Sequence, residues 1–151
     1  MSDTPRLEVT VGAAAGEHIT IRVVGRLHPG FDDFWDGNWL STRIDFAVGR
    51  FTGTVSASLR AEELLTFRNG LDGLYTRFQG EALLGSLEEW LTLRITATGS
   101  GQLRVTGELT DHPGDGNRLL FEINGLDQSY LPAILDGLDE VLTLFPVLGT
   151  S

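Results

Sequence analysis

Short segments that alternate apolar and polar residues, joined by turns of a few residues, dominate this sequence. Such an alternation has the two-residue period of a half-buried strand. We find it in seven segments, at residues 7–11, 18–24, 39–47, 50–58, 87–96, 102–110 and 118–123. Short turns join neighbouring antiparallel strands. The sequence therefore predicts an antiparallel sheet of about seven strands.

A first amphipathic helix is predicted after the fourth of these strands. Ser58 is its candidate N-cap, and the acidic side chains of Glu62 and Glu63 lie near its positive N-terminal end. Its apolar residues recur every three or four positions, at Leu64, Phe67, Leu71, Leu74 and Phe78. Gly70 and Gly73 interrupt it, which indicates either close packing against the sheet or a local irregularity.

A second amphipathic helix is predicted after the last strand. Ser129 is its candidate N-cap, and Pro132 falls in its first turn, where a missing N–H is tolerated. Pro146 ends it. Its apolar face consists of Leu131, Ile134, Leu135, Leu138, Leu142 and Phe145. The predicted order is β-β-β-β-α-β-β-β-α, an α+β fold with two amphipathic helices.

The composition excludes several classes of protein. The eleven cations are all Arg, no Lys or Cys is present, and 21 carboxylates give a net charge of −10. Without Cys there is no disulfide scaffold or thiolate metal site, and without Lys no Schiff base or P-loop lysine. A nucleic-acid binder needs a basic face. With no apolar run typical of a signal peptide or a membrane span, we predict one cytoplasmic domain, residues 1–151, that binds neither nucleic acid nor membrane.

Residues 31–39, which we call the aromatic loop, contain four aromatic residues and four Asp or Asn residues. Aromatic anchors surrounded by acids are typical of a protein interface. The segment predicts a binding site for a protein partner formed by Asp32, Asp33, Phe34, Trp35 and Asp36. The alternative is that Trp35 and Trp39 close the end of the core while the acids stay solvated. We expect Trp39 and Trp90 in the core, and Phe34 and Trp35 exposed.

Residues 111–117, which we call the His112 loop, form a second acidic segment. Asp111, His112 and Asp115 are the one place where His and carboxylates cluster, but their spacing lacks the pattern of a calcium loop. We therefore predict no metal and no cofactor, and assign these three residues to the partner site. Tyr130 joins them if its hydroxyl lies beside the acidic loops. Otherwise residues 127–130 only cap the last helix.

The two halves of the chain share a weak repeat. Residues 39–44 (WLSTRI) resemble residues 90–95 (WLTLRI), and an Asp-Gly-Asn triplet occurs at 36–38 and again at 115–117. Either the chain arose by duplication, or it uses one good turn sequence twice. Equivalent loops before equivalent strands would place the two acidic loops at the same end of the sheet.

Several short motifs resemble the WapI-like immunity proteins. They are residues 36–40 (DGNWL), Leu59 with residues 63–64 (EL), Glu88 with residues 90–91 (WL), and residues 145–146 (FP). Residues 111–117 and 127–132 lie outside this pattern, as expected of a sister group. The family consists of small bacterial proteins that protect the cell from the C-terminal domain of a toxin. The resemblance implies a binding role and carries no catalytic residue.

The leading hypothesis is a non-enzymatic acidic protein that neutralises a basic toxin domain by occlusion. A net charge of −10 speeds encounter with a basic partner. The first alternative is a self-associating accessory or structural subunit, a homo-oligomer that uses the same aromatic loop. The second is a divergent metal-dependent hydrolase that uses His112 and nearby carboxylates.

Overall fold

A computed structural model describes residues 7–151. Within them, eight strands form two four-stranded antiparallel sheets, each with its strands in chain order. The first sheet contains β1 (Glu8–Gly12), β2 (His18–Arg26), β3 (Trp39–Val48) and β4 (Phe51–Arg60). The second contains β5 (Glu81–Gly85), β6 (Leu91–Ala97), β7 (Gln102–Thr110) and β8 (Arg118–Asp127). The prediction that the chain has no signal peptide rests partly on residues 1–6. These residues lie outside the described part of the structure.

The described residues also contain helices α1 (Phe34–Gly37), α2 (Ala61–Arg77) and α3 (Leu131–Leu144), with a 3₁₀ turn at Gln128–Tyr130. The α+β class and the antiparallel pairing are confirmed. The single seven-stranded sheet is wrong, because α2 separates two sheets and a strand, β5, was missed. The predicted strand 87–96 begins only at Leu91. A turn precedes it, in which the Glu89 N–H donates to the Ser86 carbonyl oxygen at 3.0 Å.

The predicted helix starts are wrong by one or two residues. β4 continues beyond Ser58 to Arg60, and Arg60 occupies the N-cap of α2 in an extended conformation. Ser129 lies in the 3₁₀ turn, so the N-cap of α3 is Tyr130. The first-turn position of Pro132 is confirmed, and α3 ends at Leu144, before Pro146. Neither α2 nor α3, within residues 7–151, has the length and hydropathy that a bilayer-spanning helix needs.

Each long helix packs on the edge strand of the other sheet. α2, which follows the first sheet, covers β5, and α3, which follows the second, covers β1. A Cβ on Gly70 would lie 2.9 Å from the Ala82 Cα, and one on Gly137 would lie 2.9 Å from the Glu8 carbonyl oxygen. Gly70 thus permits close packing against the sheet, one of the two alternatives predicted for it. Both sheets and both helices share one apolar core.

The repeating unit of the structure is four strands followed by a helix. The similar segments do not occupy equivalent places in it, since Trp39 begins β3, a third strand, while Trp90 precedes β6, a second strand. A Phe–Gly pair does link the third and fourth strands of each sheet, with the Phe on the third strand in the first sheet and on the fourth strand in the second. Phe46 lies opposite Gly53, and Phe121 lies opposite Gly107. In each pair the Phe ring fills the space that a glycine Cβ would take.

We expect Gly107→Ala to destabilise the protein by about 1–3 kcal/mol, because overpacking forces side chains and backbone to shift. The new Cβ would lie 2.8 Å from the Thr92 carbonyl oxygen and closer still to the Phe121 ring. Denaturant unfolding measures the change. Gly85→Ala is the control, since a Cβ there meets nothing within 4 Å. Equal stability of the two variants would contradict the prediction.

Candidate partner-binding surface

The aromatic loop contains one helical turn, α1, where the sequence predicted irregular structure. The Asp33 carboxylate caps this turn by accepting a hydrogen bond from the Asp36 backbone N–H at 2.9 Å. Asn38 ends the turn and leads directly into β3. A Cβ on Gly37 would lie 2.8 Å from the Phe31 carbonyl oxygen, so the chain folds back on itself tightly at this point.

The buried guanidinium of Arg60 holds the aromatic loop from the end of β4. Its Nη1 donates to the Trp35 carbonyl oxygen at 2.7 Å and its Nη2 to the Phe34 carbonyl oxygen at 2.6 Å. The same group lies 4.8–5.4 Å from the ring centres of Phe34, Trp35 and Trp39, within cation–π range. One side chain thereby fixes both the backbone and the rings of the loop.

Two glutamates at the start of α2, Glu62 and Glu63, bind Arg60. We call these three residues the junction. Glu62 is the counterion of Arg60 and accepts a hydrogen bond from its Nε. Glu63 accepts from the backbone N–H of Arg60 at 2.8 Å and from that of Leu87 at 2.5 Å. Burial raises the pKa of Glu63 despite these two hydrogen bonds. The junction therefore ties the aromatic loop to α2 and to the turn before β6.

Residues 146–149 hold the loop from the other side. The fully buried Asn38 donates from Nδ2 to the carbonyl oxygens of Phe34 and Leu148, both at 2.9 Å. Its Oδ1 accepts from the Leu148 N–H at 2.8 Å. Arg26 bridges the same elements by donating to the carbonyl oxygens of Gly37 at 2.9 Å and Pro146 at 2.7 Å. The loop is thus a rigid platform.

The platform presents a partly apolar and acidic surface. Trp35 is 60% exposed and Phe31 is 54% exposed, and all three aspartates of the loop, Asp32, Asp33 and Asp36, are exposed. Phe34 is half-buried beside Arg60, so the predicted exposed pair of Phe34 and Trp35 holds only for Trp35.

Trp39 and Trp90 were expected in the core, but neither is fully buried. Both are half-buried. Trp39 packs against the Arg60 guanidinium, and Trp90 packs against the edge of the core with its Nε1 buried and without a hydrogen-bond partner among the described residues. Neither tryptophan is available as an exposed anchor, which leaves Trp35 and Phe31 as the aromatic residues of the surface.

The His112 loop is ordered by its own side chains. Both oxygens of the Asp111 carboxylate accept hydrogen bonds from Asn117, at 2.7 Å from its backbone N–H and at 2.9 Å from its Nδ2. His112 Nδ1 lies 2.8 Å from the Asp115 carboxylate. The hydrogen bonds from Asn117 lower the pKa of Asp111. Within residues 7–151, no group of three or more acidic or His side chains is arranged to hold a metal ion.

The two acidic loops lie apart. The aromatic loop adjoins the first residue of β3, whereas Asp111 and Asn117 line a cleft with Phe46 and Phe51, near the other end of that strand. Seven residues of strand separate Trp39 from Phe46, a distance of about 23 Å. The sequence left open whether the two acidic loops form one patch, and this separation places them apart.

Tyr130 lies away from the His112 loop as well. It follows β8 at the opposite end from that loop, so the ten residues of β8 separate the two by about 30 Å. The Tyr130 side chain is half-buried and packs against the core. The capping alternative is present nearby, since the Asp127 carboxylate accepts from the Ser129 N–H at 2.8 Å.

Arg60 was not predicted to be a site residue, because an Arg between a strand and a helix is ordinarily solvated. The available signal was the pair of acids, Glu62 and Glu63, that follows Arg60 after one residue. The sequence also did not identify Phe51 and Leu120 as exposed apolar residues, although they are 64% and 75% exposed. Each sits in a strand pattern, where alternation alone does not reveal whether a neighbouring element covers the residue.

Comparison with known proteins identifies one family. The model of the family described as "Immunity protein WapI-like family" matches residues 10–146, from β1 to the residues just after α3. No curated protein and no solved structure matches the chain.

We expect Arg60→Met to cost about 3 kcal/mol of folding free energy, because it leaves the partly buried Glu62 carboxylate, whose Oε1 is enclosed, without its counterion. The Trp35 and Phe34 carbonyl oxygens also lose their donor. Denaturant unfolding, followed by tryptophan fluorescence, measures the loss. The control is Arg94→Met, which removes an exposed ion pair with Glu81 and should cost less than about 1 kcal/mol. Similar losses in both variants would refute the role assigned to Arg60.

We expect Asn117→Ala to raise the pKa of Asp111 toward the usual range of an aspartate. A lowered pKa means that the folded state favours the ionised carboxylate. Its stabilisation is present above the usual Asp range and is lost as the pH falls through the lowered pKa. An NMR titration of side-chain carboxyl carbons measures this shift. The pKa of Asp127, lowered by Ser129 instead, should stay unchanged in the same spectra.

Proposed function

This chain belongs to the WapI-like immunity protein family, and from that premise we propose that it neutralises a toxin domain by binding and occluding it. The aromatic loop is the proposed contact surface. Trp35 and Phe31 insert into the partner, and Asp32, Asp33 and Asp36 face its basic residues. The protein performs no catalysis in this mechanism, and it acts in the cytoplasm, where the toxin domain would do its damage.

One observation carries the choice of surface, namely that exposed aromatic side chains stand on a backbone that is already fixed. Trp35 is 60% exposed while its own carbonyl oxygen is held by the buried Arg60. A preorganised loop loses little conformational entropy on binding. Trp is also among the residues that most often dominate interface energetics.

The net charge of the protein supports the proposed attraction to a basic toxin domain. The net charge of −10 attracts a basic partner over several ångströms and accelerates encounter. The exposed acids of the aromatic loop act locally, whereas Asp111, His112 and Asp115 act at a second position about 20 Å away along β3. Tyr130 is half-buried against the core and distant from the His112 loop, so we leave it out of the proposed contact surface. A self-associating subunit remains the alternative function.

The proposal is tested by affinity capture from the lysate of the host, first at low salt and then at high salt. We expect a basic domain to be retained at low salt and weakened at high salt, because salt screens exposed charges. Expression of the captured domain with and without this chain then tests protection of the cell. Capture of no domain, or a captured domain that is harmless alone, would rule out the immunity role.

We expect the Asp32→Arg, Asp36→Arg double variant to slow association with the captured domain about tenfold at low salt. Trp35→Ala should mainly speed dissociation, since aromatic anchors hold the formed complex. Surface plasmon resonance separates the two rates. A control with the same charge change, Asp136→Arg with Glu140→Arg, alters two exposed acids of α3. If it slows association as much, the effect is one of net charge and the assignment to the aromatic loop fails.

A further inference from the structure

Three of the four sheet edges in this fold are protected. α3 covers β1 and α2 covers β5. The third edge, β8, carries Arg118 and Glu122, and a bulge at Asn124 and Gly125 distorts it, with Gly125 at a φ of 83°. Charges and bulges are the usual means by which an edge strand avoids pairing with another chain.

The fourth edge, the outer side of β4, has none of these protections. β4 pairs with β3 on one side, and within residues 7–151 no strand pairs with its other side. Residues 51–59 include no charged residue and no Pro. A row of backbone donors and acceptors is therefore open to a further strand.

An apolar cleft of about 300 Å³ lies beside this edge, where the β3–β4 and β7–β8 hairpins diverge. Its apolar lining consists of Phe46, Phe51, Val55, Leu109 and Leu119. Phe51 is 64% exposed although it lies on the face of β4 that turns toward the core farther along. The cleft is thus a continuation of the core that the chain itself does not fill.

The charge around the cleft is negative on balance, because two carboxylates lie there against one cation without an ion pair in residues 7–151, Arg50, which precedes Phe51. Asp111 lines it, and Glu17 lies at its adjoining end. Neither carboxylate forms an ion pair within residues 7–151. The cation of the lining, Arg118, lies 3.2 Å from Glu108 and is therefore compensated. A basic segment is favoured here and an acidic one is not.

We propose that the outer edge of β4 pairs with an extended segment of a protein partner in which apolar residues alternate with Arg or Lys. In a strand of this kind the apolar side chains point to one face and fill the cleft. The long basic side chains on the other face fold back over the rim of the cleft, where Asp111 and Glu17 are exposed. The inference rests on the proposed function, since the toxin domain is the natural donor of the segment. A second copy of this chain fits poorly, because it brings the same uncompensated carboxylates.

The probe is a ten-residue peptide of alternating Arg and Val with blocked termini, and a Glu–Val peptide is its charge control. Amide hydrogen exchange of the full chain, with and without saturating Arg–Val peptide, locates the binding. We expect exchange over residues 51–58 to slow at least about tenfold, because new backbone hydrogen bonds protect those amides. The Glu–Val peptide should leave exchange unchanged.

Two variants test the edge itself. Thr52→Lys places a cation at an exposed position of β4 and should weaken peptide binding about fivefold, as like charges across strands repel. Phe51→Ala removes apolar lining and should weaken binding about tenfold. Gln102→Lys adds the same charge to an exposed residue of β7, a strand paired on both sides, and should leave affinity within about twofold.

The assignment is overturned if exchange over residues 51–58 does not slow, or if Gln102→Lys weakens binding as much as Thr52→Lys. It is also overturned if light scattering shows that the free chain dimerises and that Thr52→Lys abolishes the dimer, since a second copy then takes the edge. These outcomes are separate from the immunity role. If the chain protects the cell but does not bind the peptide, only the β4 assignment is refuted. If the chain binds the peptide but captures no toxin, only the immunity role is refuted.

Discussion

The buried guanidinium of Arg60 is the constraint on which the candidate surface depends. Removing an ion from water costs several kcal/mol, which must be offset by hydrogen bonds and opposite charge. Here the compensation comes from carbonyl oxygens of α1, the Glu62 carboxylate of α2 and aromatic rings of α1 and β3. Because each group belongs to a different element, the charge is satisfied only when all of them are in place. The exposed face of Trp35 is ordered by the interactions beneath it.

Each half of the chain places its helix against the other half, and this arrangement also shapes the exposed surface. Each half ends in a helix that covers the edge strand of the other half, with Gly70 and Gly137 allowing the backbones to approach. Neither sheet can bury that edge alone, so the halves stabilise each other. The same arrangement leaves β4 and β8, the edges not covered by helices, on either side of one apolar cleft.

Local sequence patterns predicted most of the strands and both long helices, but not the division of the strands into two sheets. β1 to β4 and β7 were predicted within a few residues, because alternation is a property of the strand itself. β5 was missed because the exposed Leu83 stands where strand alternation would place a polar residue. The division into two sheets depends on where α2 packs, which no local period encodes. At the site, the exposure of Trp35 was predicted correctly, whereas the partial burial of Phe34 follows from an Arg that lies 26 residues away in sequence.

The clamp between Asn38 and Leu148 joins residues 110 positions apart. A ribosome-bound chain that has not yet reached Leu148 lacks the two hydrogen bonds of that clamp and the close approach of Gly149 to Phe34. So does a fragment cut after α3 by a protease. The order of the aromatic loop therefore depends on residues 146–149, because a chain without them keeps the loop residues but loses the hydrogen bonds that hold the loop from that side.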